Sequence, residues 1–130
     1  MTGKLFTPLL ATRTLPLVKQ IVADILSKGR ELRALAEREG APETVERTDA
    51  QGTLEAELHE LLAELESLGC SYRDWGFELG LVDFPSVIEG RPVLLCWRSD
   101  EPRVAHYHAH DAGYAGRRPI PAPLLEATAT

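Results

Sequence analysis

The chain has 130 residues, of which 44% are hydrophobic and 26% charged, and its formal net charge at pH 7 is −6. That length suits one globular domain, and the composition excludes a disordered, collagen-like or disulfide-dense chain. The negative charge disfavours nucleic acid and anionic membrane surfaces, so we expect neither as a partner.

Targeting signals and cysteine usage indicate the compartment. No stretch reaches the roughly 18 apolar residues that a membrane-spanning helix requires, and the opening residues MTGKLFTP lack the pattern of a secretory signal. Two cysteines, Cys70 and Cys96, are too few for a disulfide framework and lack CxxC spacing. We therefore expect a cytoplasmic protein in which both thiols are free and buried.

The N-terminal half predicts two helices that pack as an antiparallel hairpin. Apolar residues recur at alternating spacings of three and four, which is the heptad pattern of a coiled-coil seam. The first seam comprises Leu15, Val18, Val22, Ile25, Gly29, Leu32 and Ala36, and the second comprises Leu54, Leu58, Leu61, Leu65 and Leu68. Charge favours this pairing, because residues 13–38 hold six basic and three acidic side chains whereas residues 53–68 hold five glutamates and no Lys or Arg.

Two prolines suggest how the first helix is divided. Thr7 followed by Pro8 is typical of a helix start, because the side chain can cap the helix and proline suits its first position. Pro16 lies where a continuing helix would lose a hydrogen bond. We therefore expect a short helix over residues 8–14 and, after a kink, a long helix over residues 16–39.

Two glycines predict where the helices end. Gly40 and Gly69 follow the two periodic runs, in the position where a left-handed C-cap favours glycine. The connection over residues 40–52 is longer than most connections between bundle helices. Either the second helix begins early, near Pro42, or the first helix extends beyond its partner.

The first helix carries more apolar surface than one partner helix covers. Ile21, Leu26 and Leu35 lie outside its seam. That surplus has to face the C-terminal half or a second copy of the chain. It leads to the first functional hypothesis, a non-catalytic interaction module that self-associates as a homo-oligomer, with a dimer favoured.

The C-terminal half changes to the pattern of short strands. Residues 93–97 and 104–108 predict a β-hairpin around the turn-rich residues 99–102. Residues 84–88 predict a third strand, and residues 70–73 could supply an edge strand.

Together these elements predict an α+β fold in a single domain. It consists of an antiparallel long helical hairpin with a short N-terminal helix, packed on a small C-terminal antiparallel β-sheet. Residues 1–69 form the hairpin, residues 70–118 the sheet and its loops, and residues 119–130 an extended Pro-rich tail.

Ordered sequence blocks carry a family resemblance. They are GLVDFP at residues 80–85, LCWR at residues 95–98 and YHAHDAGYAGR at residues 107–117, together with Phe6, Thr7, Leu15 and Pro16 near the start. On these residues the chain resembles the bacterial domain of unknown function 2203 family over nearly its whole length. The resemblance implies no established activity. The family pattern has one histidine, which matches His108, whereas His106 and His110 depart from it.

Three histidines at alternate positions could form a metal site. They are His106, His108 and His110. On a strand they project to one face, where their imidazoles could bind zinc or another divalent transition metal. Asp111 and Glu101 could add carboxylates and Cys96 a thiolate. If the turn pairs Arg98 with Arg103, however, the thiol lies on the opposite face from the histidines.

A second group of polar side chains could bind an anion. Its members are Asp83, Glu101, His108, Asp111 and Arg117. Arg117 could hold a carboxylate or phosphate through two hydrogen bonds, and His108 next to Asp111 could act as an acid or base. Alternatively, Arg117 pairs internally with Asp83 or Asp111 and fastens its glycine-rich segment to the hairpin. The second functional hypothesis is therefore a metal- or anion-binding protein, which could be a small hydrolase. The sequence leaves open whether the chain is an enzyme.

Overall fold

The structure is a computed structural model that describes residues 4–37, 45–74 and 76–125. Two long helices come first, α1 (Pro8–Ala36) and α2 (Val45–Leu68). The strands that follow are β1 (Ser71–Tyr72), β2 (Leu81–Ile88), β3 (Arg91–Arg98), β4 (His106–His108) and β5 (Arg118–Pro119). A 3-10 turn at Tyr114–Gly116 lies between β4 and β5, and a short helix, α3 (Ala122–Leu125), follows β5. This arrangement confirms the predicted α+β class.

Helix α1 is continuous where the sequence predicted a break. Pro16 lies inside it, so the expected short helix over residues 8–14 is the first part of α1. An interior proline costs roughly 3 kcal/mol because it removes a backbone hydrogen bond and crowds the preceding turn. Leu15 and Val18, one residue before and two residues after Pro16, are almost fully buried in the core, and their burial offsets that cost.

The predicted capping residues occupy the described helix ends. Thr7 Oγ1 accepts a hydrogen bond from the Leu10 N–H at 3.1 Å at the start of α1. Gly69 has a φ of 98° at the end of α2, and its N–H donates to the Glu66 carbonyl at 2.9 Å. Glycine adopts this left-handed conformation without steric cost. Gly40, the other predicted cap, lies outside the described residues.

Helices α1 and α2 form the predicted antiparallel hairpin. Gly69, at the end of α2, lies against Lys4 and Phe6 just before α1 begins, so the two helices run in opposite directions. A salt bridge joins the two helices, with 2.6 Å between Lys28 Nζ and Glu57 Oε2. This pair agrees with the opposite charges predicted for α1 and α2. Helix α2 begins at Val45, well before its periodic leucines, in agreement with the alternative of an early second helix. Pro42 itself lies outside the described residues.

The five strands form one antiparallel sheet in the order β1-β2-β3-β4-β5. One face of this sheet packs on the helices, and the fully buried Phe84 and Leu95 lie opposite each other on it. Ile21 of α1 is part of the same core, and Leu26 packs against it. The chain's own core therefore takes up this part of the surplus apolar surface of α1.

The segment predicted as an extended tail contains regular structure. Its first residues pair with β4 as β5, and the N–H of the buried Ile120 donates to the Ala105 carbonyl at 2.8 Å. Helix α3 then follows, so Ala122–Leu125 is helical where the sequence predicted extended chain. Among the described residues, no helix combines the length and the apolar character needed to cross a bilayer.

Candidate functional site

Three polar candidates lie together on the sheet face that points away from the helices. Antiparallel pairing places opposite residues on the same face, and the register pairs Asp83 with Cys96, Cys96 with His106, and Leu94 with His108. Asp83, Cys96 and His108 are each no more than 4% exposed. A carboxylate, a thiol and an imidazole are thus buried outside the hydrophobic core, and we call them the Asp-Cys-His cluster.

The register of β3 and β4 differs from the one considered in the sequence analysis. A pairing of Arg98 with Arg103 would place Cys96 and the histidines on opposite faces. Pairing instead begins between Cys96 and His106. The connection begins with a turn in which the Glu101 N–H donates to the Arg98 carbonyl at 2.8 Å and the Glu101 carboxylate accepts from the Arg98 N–H at 2.8 Å. The thiol therefore shares a face with the histidines of β4.

Hydrogen bonds fix the orientation of His108. Its Nδ1 lies 2.8 Å from the Ala109 carbonyl oxygen, which can only accept, so Nδ1 carries a proton. Its Nε2 lies 3.2 Å from Asp83 Oδ1, and Asp83 Oδ2 accepts a hydrogen bond from Arg73 Nε at 3.1 Å. A carboxylate oxygen and an unprotonated imidazole nitrogen both present lone pairs. A proton or a metal cation therefore has to lie between Nε2 and Oδ1.

The Asp-Cys-His cluster has the chemistry of a transition-metal site. One ligand atom from each side chain lies within 4.8 Å of the other two. Tetrahedral zinc bonded to nitrogen and oxygen at about 2.0 Å separates those two atoms by about 3.3 Å. The observed separation of Nε2 and Oδ1, 3.2 Å, matches that spacing. The hydrogen bond from Nδ1 to a carbonyl is also the outer support that metal-binding histidines use.

Burial governs the state of the thiol in this cluster. Desolvation raises the pKa of Cys96 to about 11, and the nearby positive charge of Arg117 offsets only part of that effect. A metal ion that binds Sγ therefore has to displace its proton. Without such an ion, Cys96 is a protonated and unreactive thiol at neutral pH.

A pocket of about 300 Å³ opens beside the cluster. Besides the three cluster residues, its wall contains Arg73, Leu81, Leu94, His110 and Tyr114. Structural zinc sites are closed by four protein ligands, whereas catalytic sites keep three protein ligands and one open position. Three candidate ligands beside a pocket correspond to the second kind.

The predicted three-histidine site is not formed. Strand β4 ends at His108, and the Ala112 N–H donates to the Ala109 carbonyl at 3.1 Å in the turn that follows. His110 lies in that turn and is exposed, and His106 Nδ1 lies 3.4 Å from Glu101 Oε2. Among the described residues, only His108 of the three joins a group of metal-ligand atoms.

Arg117 makes an internal pair, but its partner is Glu101 rather than Asp83 or Asp111. Its Nη1 and Nη2 lie 3.0 and 2.7 Å from the two Glu101 carboxylate oxygens, and Nη2 also donates to the Cys96 carbonyl at 3.0 Å. Asp111 lies exposed in the turn after β4. Arg117 therefore fastens the segment over residues 109–117, which covers the cluster, to β3 and its loop.

The sequence pattern does not indicate Arg73 as a site residue, and it does not place Cys96 on the right face. Arg73 comes from the edge of β1, and nothing in its local pattern sets it apart. Cys96 was considered as a ligand but assigned to the wrong face. One signal of this face was available, because Asp83 interrupts the otherwise apolar run of residues 81–85 at a position that a half-buried strand turns away from the core.

The sequence matches the model of a family described as "Uncharacterized conserved protein (DUF2203)" over residues 4–120. The chain belongs to the DUF2203 family. This membership confirms the resemblance carried by the GLVDFP, LCWR and YHAHDAGYAGR blocks. The matched range of this DUF2203 protein includes the Asp-Cys-His cluster, Arg73 and the covering segment. No curated protein and no solved structure matches the chain.

Proposed function

We propose that this DUF2203 protein binds one divalent transition-metal ion through Asp83 Oδ1, Cys96 Sγ and His108 Nε2. The observation that carries the proposal is the 3.2 Å contact between Nε2 and Oδ1. Both atoms present lone pairs once Nδ1 holds the proton of the imidazole, and both are buried next to a thiol. A cation at that point satisfies all three groups at once.

The donor set favours zinc or a similar metal. Thiolate and imidazole ligands select transition metals, whereas magnesium and calcium take oxygen ligands. The open side of the site gives a bound metal room for a water molecule or a substrate, so hydrolysis is the activity that we would test first. The proposal also requires the predicted cytoplasmic placement, because a reducing compartment keeps Cys96 available as a ligand.

A buried ion pair is the competing explanation of the same geometry. A protonated His108 could donate to Asp83, with Arg73 on the far side of the carboxylate. Such a network is common in proteins and needs no metal. It assigns no polar role to Cys96, however, so the thiol distinguishes the two explanations.

Metal content of the untagged, full-length protein tests the proposal. We expect about one equivalent of zinc or another transition metal per chain, and a cobalt-substituted protein with a thiolate-to-cobalt absorption band. Cys96→Ser and His108→Gln should each weaken metal binding at least about tenfold, because each removes a ligand. His110→Gln is the matched control, since this histidine lines the same pocket without joining the cluster.

Two results would contradict metal binding. One is a purified protein that takes up neither zinc nor cobalt at equimolar concentration. The other is uptake that is unchanged in both Cys96→Ser and His108→Gln. Circular dichroism of each variant shows whether it is folded, so loss of structure is not mistaken for loss of a ligand.

Self-association is a second proposal, and two exposed leucines favour it. Leu10 and Leu17 are seven residues apart on α1, so they share a helix face, and they are 36% and 49% exposed. Light scattering after size exclusion should give the mass of two chains for the wild type and of one chain for Leu17→Glu. Ala23→Glu adds the same charge at an exposed position about 120° around α1 from Leu17 and should leave the dimer intact. A wild type with the mass of one chain would rule the proposal out.

A further inference from the structure

The charges around the pocket favour an anionic ligand. A divalent ion is balanced by the Asp83 carboxylate and a Cys96 thiolate, and His108 adds no charge when it binds through Nε2. Arg73 adds a positive charge at the pocket wall. The other two arginines of this face pair with carboxylates of their own. The metal-loaded pocket therefore has a net positive charge.

Arg73 is placed to contact both the site and a ligand. Its Nε donates to Asp83 Oδ2, on the side of the carboxylate away from His108. Its side chain is 55% exposed, and it lines the pocket. Two oxygens of a carboxylate or phosphate match the two terminal nitrogens of a guanidinium, which form paired, charge-assisted hydrogen bonds.

The rest of the wall indicates that the anion has an organic part. Leu81, Leu94 and the 41% exposed ring of Tyr114 line the pocket. A volume of about 300 Å³ is at the lower end for small-molecule sites. An inorganic ion would leave this apolar surface uncovered, whereas a small aromatic or aliphatic group would bury it.

We infer that the fourth position of the metal site takes a small organic anion, a carboxylate or a phosphate monoester, which bridges the metal and Arg73. This inference rests on the metal site proposed above. It goes further in naming the class of ligand and in assigning Arg73 as a binding residue. The apolar wall then contributes affinity that inorganic phosphate cannot gain.

Calorimetric titration of the full-length, zinc-loaded protein with phenyl phosphate, benzoate and inorganic phosphate tests the inference. Zinc is kept in excess, and its occupancy is measured for each variant. Phenyl phosphate or benzoate should bind at least about tenfold more tightly to the zinc-loaded protein than to the metal-free protein, and more tightly than inorganic phosphate. The tighter of the two organic ligands identifies the anionic group.

Two arginine variants isolate the role of Arg73. Arg73→Gln should weaken binding of the organic anion about tenfold or more at full zinc occupancy, because it removes a charged donor. Arg91→Gln changes an exposed arginine outside the pocket and should have no effect. Unchanged affinity in Arg73→Gln, equal affinity of the metal-free protein, or no binding of either organic ligand would overturn the inference. Zinc occupancy is measured separately, so failure of the metal site itself would be visible as absent zinc.

Discussion

Glu101 is the residue that holds the covering segment and the β3–β4 loop in place. Its carboxylate accepts hydrogen bonds from the Arg117 guanidinium and from the Arg98 N–H, and its carbonyl accepts one from Trp97 Nε1. Burial raises the pKa of Glu101, but the hydrogen bonds from Arg117 and Arg98 lower it by more, so its pKa lies below the usual value. The structure therefore gives Glu101 a positioning role, where the sequence suggested a site residue.

The depressed pKa predicts how the stability of a Glu101 variant depends on pH. Glu101→Gln should lower the free energy of unfolding by roughly 2 kcal/mol at pH 7, because Arg117 loses its counter-charge. A carboxylate with a lowered pKa stabilises the fold fully above its unfolded value and loses that contribution as the pH falls through its folded value. The difference between wild type and variant should therefore shrink below about pH 4.5, the ordinary pKa of a glutamate.

Urea denaturation at a series of pH values measures this difference. Glu60→Gln, an exposed glutamate of α2, is the control and should stay within about 0.5 kcal/mol of the wild type. A difference for Glu101→Gln that is constant from pH 7 to about pH 3 would show that the charge of Glu101 does not stabilise the fold.

Helices were predictable from the sequence because the burial of one helix face leaves a periodic pattern. Leu15, Val18 and Ile25 of the first seam are buried as that pattern requires. The continuity of α1 through Pro16 was not predictable, because it depends on tertiary burial that outweighs a local penalty.

The strand register was not predictable either. Pairing begins between Cys96 and His106 rather than between Arg98 and Arg103, which is a shift of one residue, and the alternation of apolar residues in the two strands does not distinguish two such registers. A change of register alters which side chains share a face, so the position of Cys96 was beyond the sequence although Asp83 and His108 were recognised as candidates.

Two glycines of the helical hairpin test the packing of this element. A Cβ at Gly29 would lie 2.2 Å from Phe77 Cδ1, whereas a Cβ at Gly52, in the exposed middle of α2, has no neighbour within 4 Å. Alanine favours a helix over glycine by about 1 kcal/mol, and overpacking costs roughly 1–3 kcal/mol. Gly52→Ala should therefore raise the melting temperature, and Gly29→Ala should lower it. An equal rise in both would mean that Phe77 does not pack on α1.

The two halves of the molecule share one hydrophobic core. Phe6 and Leu65 from the helical half and Trp97 from the sheet belong to the same buried cluster. Phe6 also bonds to β2, since its N–H donates to the Pro85 carbonyl at 2.8 Å. Each half buries its apolar face against the other, so the single domain stays a prediction that cooperative unfolding would test.

A shared core predicts that helices and sheet unfold together. Far-UV circular dichroism, which follows the helices, and near-UV circular dichroism, which follows the aromatic side chains, should give the same urea midpoint. Leu65→Ala should lower the free energy of unfolding by roughly 3 kcal/mol and shift both midpoints equally, because Leu65 is fully buried in that core. Leu5→Ala, at an exposed position before α1, should shift neither by much. If Leu65→Ala moved the far-UV transition alone, the helical hairpin would be a separate folding unit, and the sheet with its Asp-Cys-His cluster would have to be stable without it.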